Sequence, residues 1–367
     1  MNASQLHAAE QRVARGDEAA KRSLTDLIAA ADKALKVPAS SVMDKTITPP
    51  SGDKHDYMSQ APYWWPDPAK PDGKPYIRKD GERNPEINRL PDHDNLGRLT
   101  STVSTLGLAY RLQRKPEYAQ HAARLTRTWF LDLATRMNPH LKFGQGIPGI
   151  NDGRGIGIIE TRGLPDLLDG IILISDSGAW TKEDEAGLQA WVRAYLAWLL
   201  TSTYGQDEAK NGNNHETWYD VQAAGLALYT GQRDVARRIL EGSRQRIDRQ
   251  FEADGRQPRE LERTRSYDYS EFNLTAFFNL AVLGEQAGVD LWNYRSADGR
   301  SLRRALDFLV PYAAGEKKWD FDQITPFRGS TLANILVRGA AAWNEPKYRA
   351  LADTLGGASP RHQLLLR

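Results

Sequence analysis

Apolar residues recur along most of this chain at the three- and four-residue spacing of amphipathic helices. Between Gln5 and Leu35 that spacing is kept by Leu6, Val13, Ala19, Leu24, Leu27, Ile28 and Leu35. From Asp94 onward it predicts helices over Leu96–Leu112 and Tyr118–Ala134, with Lys115-Pro116 turning the chain between them. Further helices are expected over Ile158–Ile174, Lys182–Tyr204, His215–Tyr229, Asp234–Gln250, Ser270–Gly288, Ser301–Ala314, Thr331–Trp343 and Pro346–Leu355. Thr181, with Asp184 three residues on, gives the Lys182 helix a start close to a capping box. Helix pairs in succession without strand alternation predict an all-α fold. No fixed-period repeat is present, and neither end shows an obvious polar cap, so a closed or nearly closed ring of α-hairpins fits better than an open solenoid.

One segment departs from the pattern. Lys36–Leu90 is rich in Pro, Gly and charge, and Pro62, Pro66, Pro68, Pro71, Pro75 and Pro85 forbid a long helix there. An extended loop of this length suits a lid or a binding loop. Length alone suggests two or three domains, yet a single helical domain over residues 1–367, with 36–90 as its lid, accommodates the same pattern.

Composition narrows the function. Ten Trp, 14 Tyr and 9 Phe supply a large core, which argues against disorder. The absence of Cys excludes a disulfide framework, a thiolate nucleophile and cysteine-ligated zinc. Lys and Arg total 49 against 47 Asp and Glu, and no basic block dominates, so nucleic acid is not an expected partner. No run of about 18 apolar residues exists to span a membrane. Met1 to Arg12 carry no apolar signal core, so a periplasmic or secreted location presumes a signal already removed. The seven histidines are scattered and lack the spacing of a metal site, so no metal is expected.

Four stretches carry candidate chemistry. NGNNHETW (Asn211 to Trp218) sets Asn213, Asn214 and His215 at the mouth of a helix, where backbone N–H groups favour an anion. The plainer reading is an N-cap followed by a surface histidine. ELERTRSYDYSEFNL (Glu260 to Leu274) places Arg263, Arg265, Tyr267 and Tyr269 just before an apolar helix, where they are either carboxylate ligands and a base or two core tyrosines and two solvated arginines. Tyr63, Trp64 and Trp65 either pack the Pro-rich loop or offer faces on which a sugar stacks. Gln145, Asn151, Asp152 and Arg154 are spaced by glycines that serve tight turns or a polar contact surface. Acidic residues are abundant, but no spacing singles out a glycosidase pair.

Taken in order, SQAPYWWPDP, KPYIRKDGERNP, NPHLKFGQGIPGINDGRGIGIIETRGL, NGNNHETWYDVQ and ERTRSYDYSEFNL resemble the alginate lyase domain family of bacterial polysaccharide lyases. The likeness runs from Tyr57 to about Leu336 and is nearest to the glucuronan (cellouronate) lyase branch. It implies an incomplete α/α toroid, an acidic polysaccharide substrate, no required cofactor, and β-elimination of 1,4-linked polyuronates. It further implies that Asn214 and His215 match the family's Asn-His pair, Arg263 its arginine and Tyr269 its tyrosine. In that chemistry Asn214, His215 and Arg263 neutralise the uronate carboxylate, and their field favours the Tyr269 phenolate that takes the C5 proton. His215 is the other candidate base. Tyr63, Trp64, Trp65, Gln145, Arg154 and Tyr267 are the expected substrate contacts, and a monomer is expected. A hydrolase or epimerase on the same scaffold and a non-catalytic glycan-binding protein are the competing classes.

Overall fold

A computed structural model describes residues 3–366, of which 61% is helical and 4% strand. The expected all-α class therefore holds. In chain order the helices are α1 (Ala3–Ala14), α2 (Glu18–Ala34), α3 (Asp92–Gln113), α4 (Pro116–Phe130), α5 (Leu164–Ile174), α6 (Lys182–Thr201), α7 (Thr203–Glu208) and α8 (Asn214–Tyr229). They continue with α9 (Arg233–Gln250), α10 (Pro258–Leu261), α11 (Ser266–Ala287), α12 (Leu302–Ala313), α13 (Ala333–Trp343), α14 (Pro346–Leu355) and α15 (Pro360–Leu366). No described helix is long and apolar enough to cross a membrane.

Several boundaries differ from the sequence expectation, each for a local reason. The first stretch breaks at Gly16, which takes φ +82° and separates α1 from α2. Ile158–Ile174 begins as a 3-10 turn (Gly155–Thr161) before α5, and Pro165 stands in the first turn of that helix, where its missing N–H costs nothing. Ser202 has an extended backbone and accepts the N–H of Gly205, ending α6 and capping α7. Helix α11 starts at Ser266 rather than Ser270, which moves both tyrosines of the SYDYS run into the helix.

The chain forms two compact units. One comprises Met1–Ala29, Gly212–Ala224 and Arg233–Arg367; the other comprises Ala30–Asn211 and Gly225–Gln232. In the second unit the Pro-rich segment is more ordered than an extended loop. Strand β1 (Met58–Gln60) pairs in parallel with β4 (Phe143–Gly146), and β2 (Trp64–Trp65) pairs antiparallel with β3 (Ile77–Arg78). The base of the expected lid is thus hydrogen-bonded to the glycine-rich stretch.

Helices α3 and α5 of that unit meet at glycines. A Cβ on Gly107 would stand 2.4 Å from the carbonyl oxygen of Gly170, whereas one on Gly97, exposed on the same α3, would meet nothing within 4 Å. Gly107→Ala is expected to destabilise by about 1–3 kcal/mol through overpacking. Gly97→Ala should instead stabilise by up to about 1 kcal/mol through helix propensity. Urea midpoints of the two variants check this, and equal shifts of one sign would contradict the packing.

In the other unit the core joins α11, α12 and α13. Phe278 meets Trp292 and Trp343 edge-on at 4.9 and 5.7 Å between ring centres, above fully buried Leu306, Leu309 and Leu336.

Candidate active site

The expected catalytic residues all lie in the unit that contains α9–α15, on the first turn of α8 and on the segment running from α10 into α11. The two adjacent asparagines divide the work. Asn213, just before α8, accepts the His215 N–H with its side-chain oxygen at 3.1 Å, which is the capping role. Asn214 is fully buried and turns its amide to Glu260 instead. One Glu260 oxygen accepts the Asn214 backbone N–H at 2.7 Å, and the other accepts its Nδ2–H at 2.8 Å. Asn214 Oδ1 is buried without a hydrogen-bond partner. Gly212, just ahead of this corner, takes φ +74°, a left-handed backbone that favours glycine.

Glu260 is 1% exposed. Burial pushes its carboxyl above the ordinary range, while the Asn214 hydrogen bonds and then the charges of Arg263 and His215 pull it back. The guanidinium carbon of Arg263 lies 3.8 Å from the ring centre of Tyr269, a close cation–π stack. Asn214, Arg263 and His215 thus act on one carboxylate, and Tyr269 joins them through its stack on Arg263.

The helical register separates the duplicated residues of the ERTRSYDYS run. Tyr267 and Tyr269 are two apart on α11, hence about 200° apart around it. Tyr267 points inward, 0% exposed, against Trp319 and Phe327 at 5.2 and 4.4 Å. The structure thus places Tyr267, expected as a substrate contact, among aromatic side chains. Tyr269 is half-buried. Arg265 is paired with Asp268 at 2.7 Å, and Asp268 also accepts the Thr325 hydroxyl at 3.0 Å. The Asp322 carbonyl and Gln323 Oε1 accept the N–H groups of Ser266 and Tyr267 at 3.0 and 3.1 Å, so the first turn of α11 is capped from a distant loop.

Beneath this corner lies a buried polar chain that the sequence did not mark. Asn273 Nδ2 donates to both Gln257 Oε1 and Gln250 Oε1, at 2.8 and 3.0 Å. Gln250 Nε2 donates to Glu216 at 3.0 Å, and Glu216 and Asp220 both bind Arg246. The chain links α8, α9 and α11, with Gln257 immediately ahead of α10. Among 47 acidic residues nothing set Glu260 apart, although it opens the quoted motif.

The remaining expected contacts lie in the other unit. Tyr63, Trp64 and Trp65 are half-exposed on the β2–β3 ribbon, where Trp65 Nε1 donates to the Glu82 carbonyl at 2.9 Å and Lys79 lies over the Trp65 ring at 5.2 Å. Gln145 is buried, takes φ +51°, and accepts Arg154 Nη2 at 2.8 Å; its own N–H donates to Ser59. Ser59 and Tyr57 in turn donate to the buried Glu160, at 2.6 and 2.7 Å. Arg154 meets a neutral amide, has a buried Nε without a partner, and is pushed down to about 10 by desolvation and by Arg78. A desolvated guanidinium of this kind suits an anionic ligand.

Comparison with known proteins places the chain in a family. The family model described as alginate lyase matches residues 41–319. A crystal structure of an alginate lyase from Bacteroides ovatus is 39% identical, with 99% of this chain and 97% of that one covered and a TM-score of 0.93. Alginate lyase A1-III from Sphingomonas species A1 is 16% identical, covering 93% and 94%, with a TM-score of 0.58. A variant of alginate lyase A1-III complexed with a tetrasaccharide is also 16% identical, covering 99% and 94%, with a TM-score of 0.64. No match was found among curated proteins. The fold is the α/α-toroid type that these structures share, and the protein is a polysaccharide lyase. The chain belongs to the alginate lyase family.

Proposed function

We propose that this enzyme cleaves β-1,4-linked polyuronate by syn β-elimination, glucuronan (cellouronate) ahead of polymannuronate. The observation that carries the reading is the Arg263 guanidinium stacked 3.8 Å from the Tyr269 ring in the corner that also holds Asn214 and His215. A uronate carboxylate held there by Arg263, His215 and the second Nδ2 hydrogen of Asn214 accepts the charge that builds as the C5 proton leaves. Tyr269 takes that proton. The C5–H electrons form the C4–C5 double bond, the C4–O bond breaks, and the departing glycosidic oxygen receives the proton from the tyrosine. In glucuronate and mannuronate of β linkage, H5 and O4 share a ring face, so one phenol serves as base and then acid.

The motifs quoted above favour glucuronan. Polymannuronate is the second reading, because the structure 39% identical to this chain is that of an alginate lyase. The two sugars differ at C2, away from the bonds that change, so groove contacts decide between them. The conjugated product absorbs in the far ultraviolet, and initial rates on glucuronan, polymannuronate and polyguluronate test the proposal. Glucuronan should be fastest and polyguluronate slowest, since its H5 and O4 lie on opposite faces. Fastest cleavage of polyguluronate would overturn the single-tyrosine route.

Tyr63, Trp64 and Trp65 are assigned to the sugar chain on their half-exposed ribbon, and Arg154 with Gln145 to a uronate carboxylate. Trp64→Ala should raise KM for long chains several-fold while melting moves little. An unchanged KM with a large fall in melting temperature would instead make the ring a packing residue.

A further inference from the structure

We infer that Glu260 is a positioning residue that fixes which way the Asn214 amide faces, and so which of its atoms a substrate meets. The inference rests on the role proposed for Asn214. A side-chain amide is nearly symmetrical in shape but not in chemistry, since one end donates twice and the other only accepts. An ionised carboxylate only accepts. With one Glu260 oxygen on the Asn214 backbone N–H at 2.7 Å and the other on Nδ2 at 2.8 Å, reversing the amide would set Oδ1 against a carboxylate oxygen. While Glu260 is ionised the reversal is therefore strongly disfavoured, one Nδ2 hydrogen is committed, and one remains to donate.

Glu260 can impose this because other groups hold it. It sits on the single turn of α10, whose first residue is Pro258 and whose preceding Gln257 is anchored to the Ser270 carbonyl at 2.9 Å and to Asn273 at 2.8 Å. At 1% exposure its hydrogen bonds meet no competition from water.

A purely structural role would lie in the backbone bond, which anchors the start of α8. Glu260→Gln separates the two roles. Its Oε1 can still accept the backbone N–H, but its Nε2 then faces Asn214 and draws Oδ1 toward itself, reversing the amide. The expected result is near-normal melting with kcat lowered about 10- to 100-fold, the size of a lost charge-assisted hydrogen bond. Glu260→Asp keeps an accept-only group and should retain more kcat than Glu260→Gln. In an Asn214→Ala background Glu260→Gln should change kcat by less than about twofold, because the group it orients is gone.

Wild-type kcat in Glu260→Gln, the same loss in both backgrounds, or a poorer Glu260→Asp would each overturn the inference. If Asn214→Ala alone kept full turnover, the role proposed for Asn214 would fall with it. An impaired Asn214→Ala that is uncoupled from Glu260 would defeat this inference alone.

Discussion

Tyr269→Phe is expected to lower kcat by roughly 10²- to 10⁴-fold, the range of acid–base catalysis by a positioned side chain. Substrate affinity should change little. The substitution removes one oxygen from a half-buried ring and leaves its packing in place, including the stack with Arg263, whose guanidinium carbon lies 3.8 Å from the ring centre. The loss should therefore fall on the chemical step, and pre-steady-state trapping of bound polymer should be near normal. Tyr267→Phe provides the internal comparison, because that ring is 0% exposed between Trp319 and Phe327. It should retain most of the turnover. If Tyr269→Phe were nearly as active as wild type while His215→Ala was inactive, the histidine would be the base.

Arg263→Lys is expected to have an effect of comparable size despite its conserved charge. A guanidinium presents a planar fork to a carboxylate and stacks on an aromatic face, and an ammonium reproduces neither. Its attraction grows as charge moves from C5 onto the carboxyl oxygens, so kcat should fall more than KM rises. Arg265→Lys should be mild, since Arg265 is paired with Asp268 at 2.7 Å. A polymer whose carboxyl groups are reduced to alcohols should not be cleaved by any of these enzymes. An inactive Arg265→Lys beside a fully active Arg263→Lys would reverse the assignment of the two arginines.

The helical spacing was enough to place most of the elements, because apolar stripes and punctuation by Gly and Pro act locally. What it could not place depends on groups brought from far along the chain. The start of α11 is one case. Ser266 and Tyr267 donate to Asp322 and Gln323, some fifty residues on, so no local cap announced that the helix began before Ser270. That early start decides which tyrosine is buried, which the run SYDYS alone left open. Asn213 and Asn214 pose the same problem. Either is a good cap by composition, and only the carboxylate of Glu260, on another helix, distinguishes them. The Pro-rich segment was rightly read as lacking a long helix, but its β2–β3 ribbon and the pairing of β1 with β4 needed partners in space.

The most direct test of the central claim is the mass of the product formed by the wild-type enzyme in water enriched with heavy oxygen. Elimination predicts oligomers whose new non-reducing end is lighter by one water than a hydrolytic fragment, with no solvent oxygen incorporated by the cleavage. Saturated fragments carrying one heavy oxygen per cut would contradict it and make the enzyme a hydrolase.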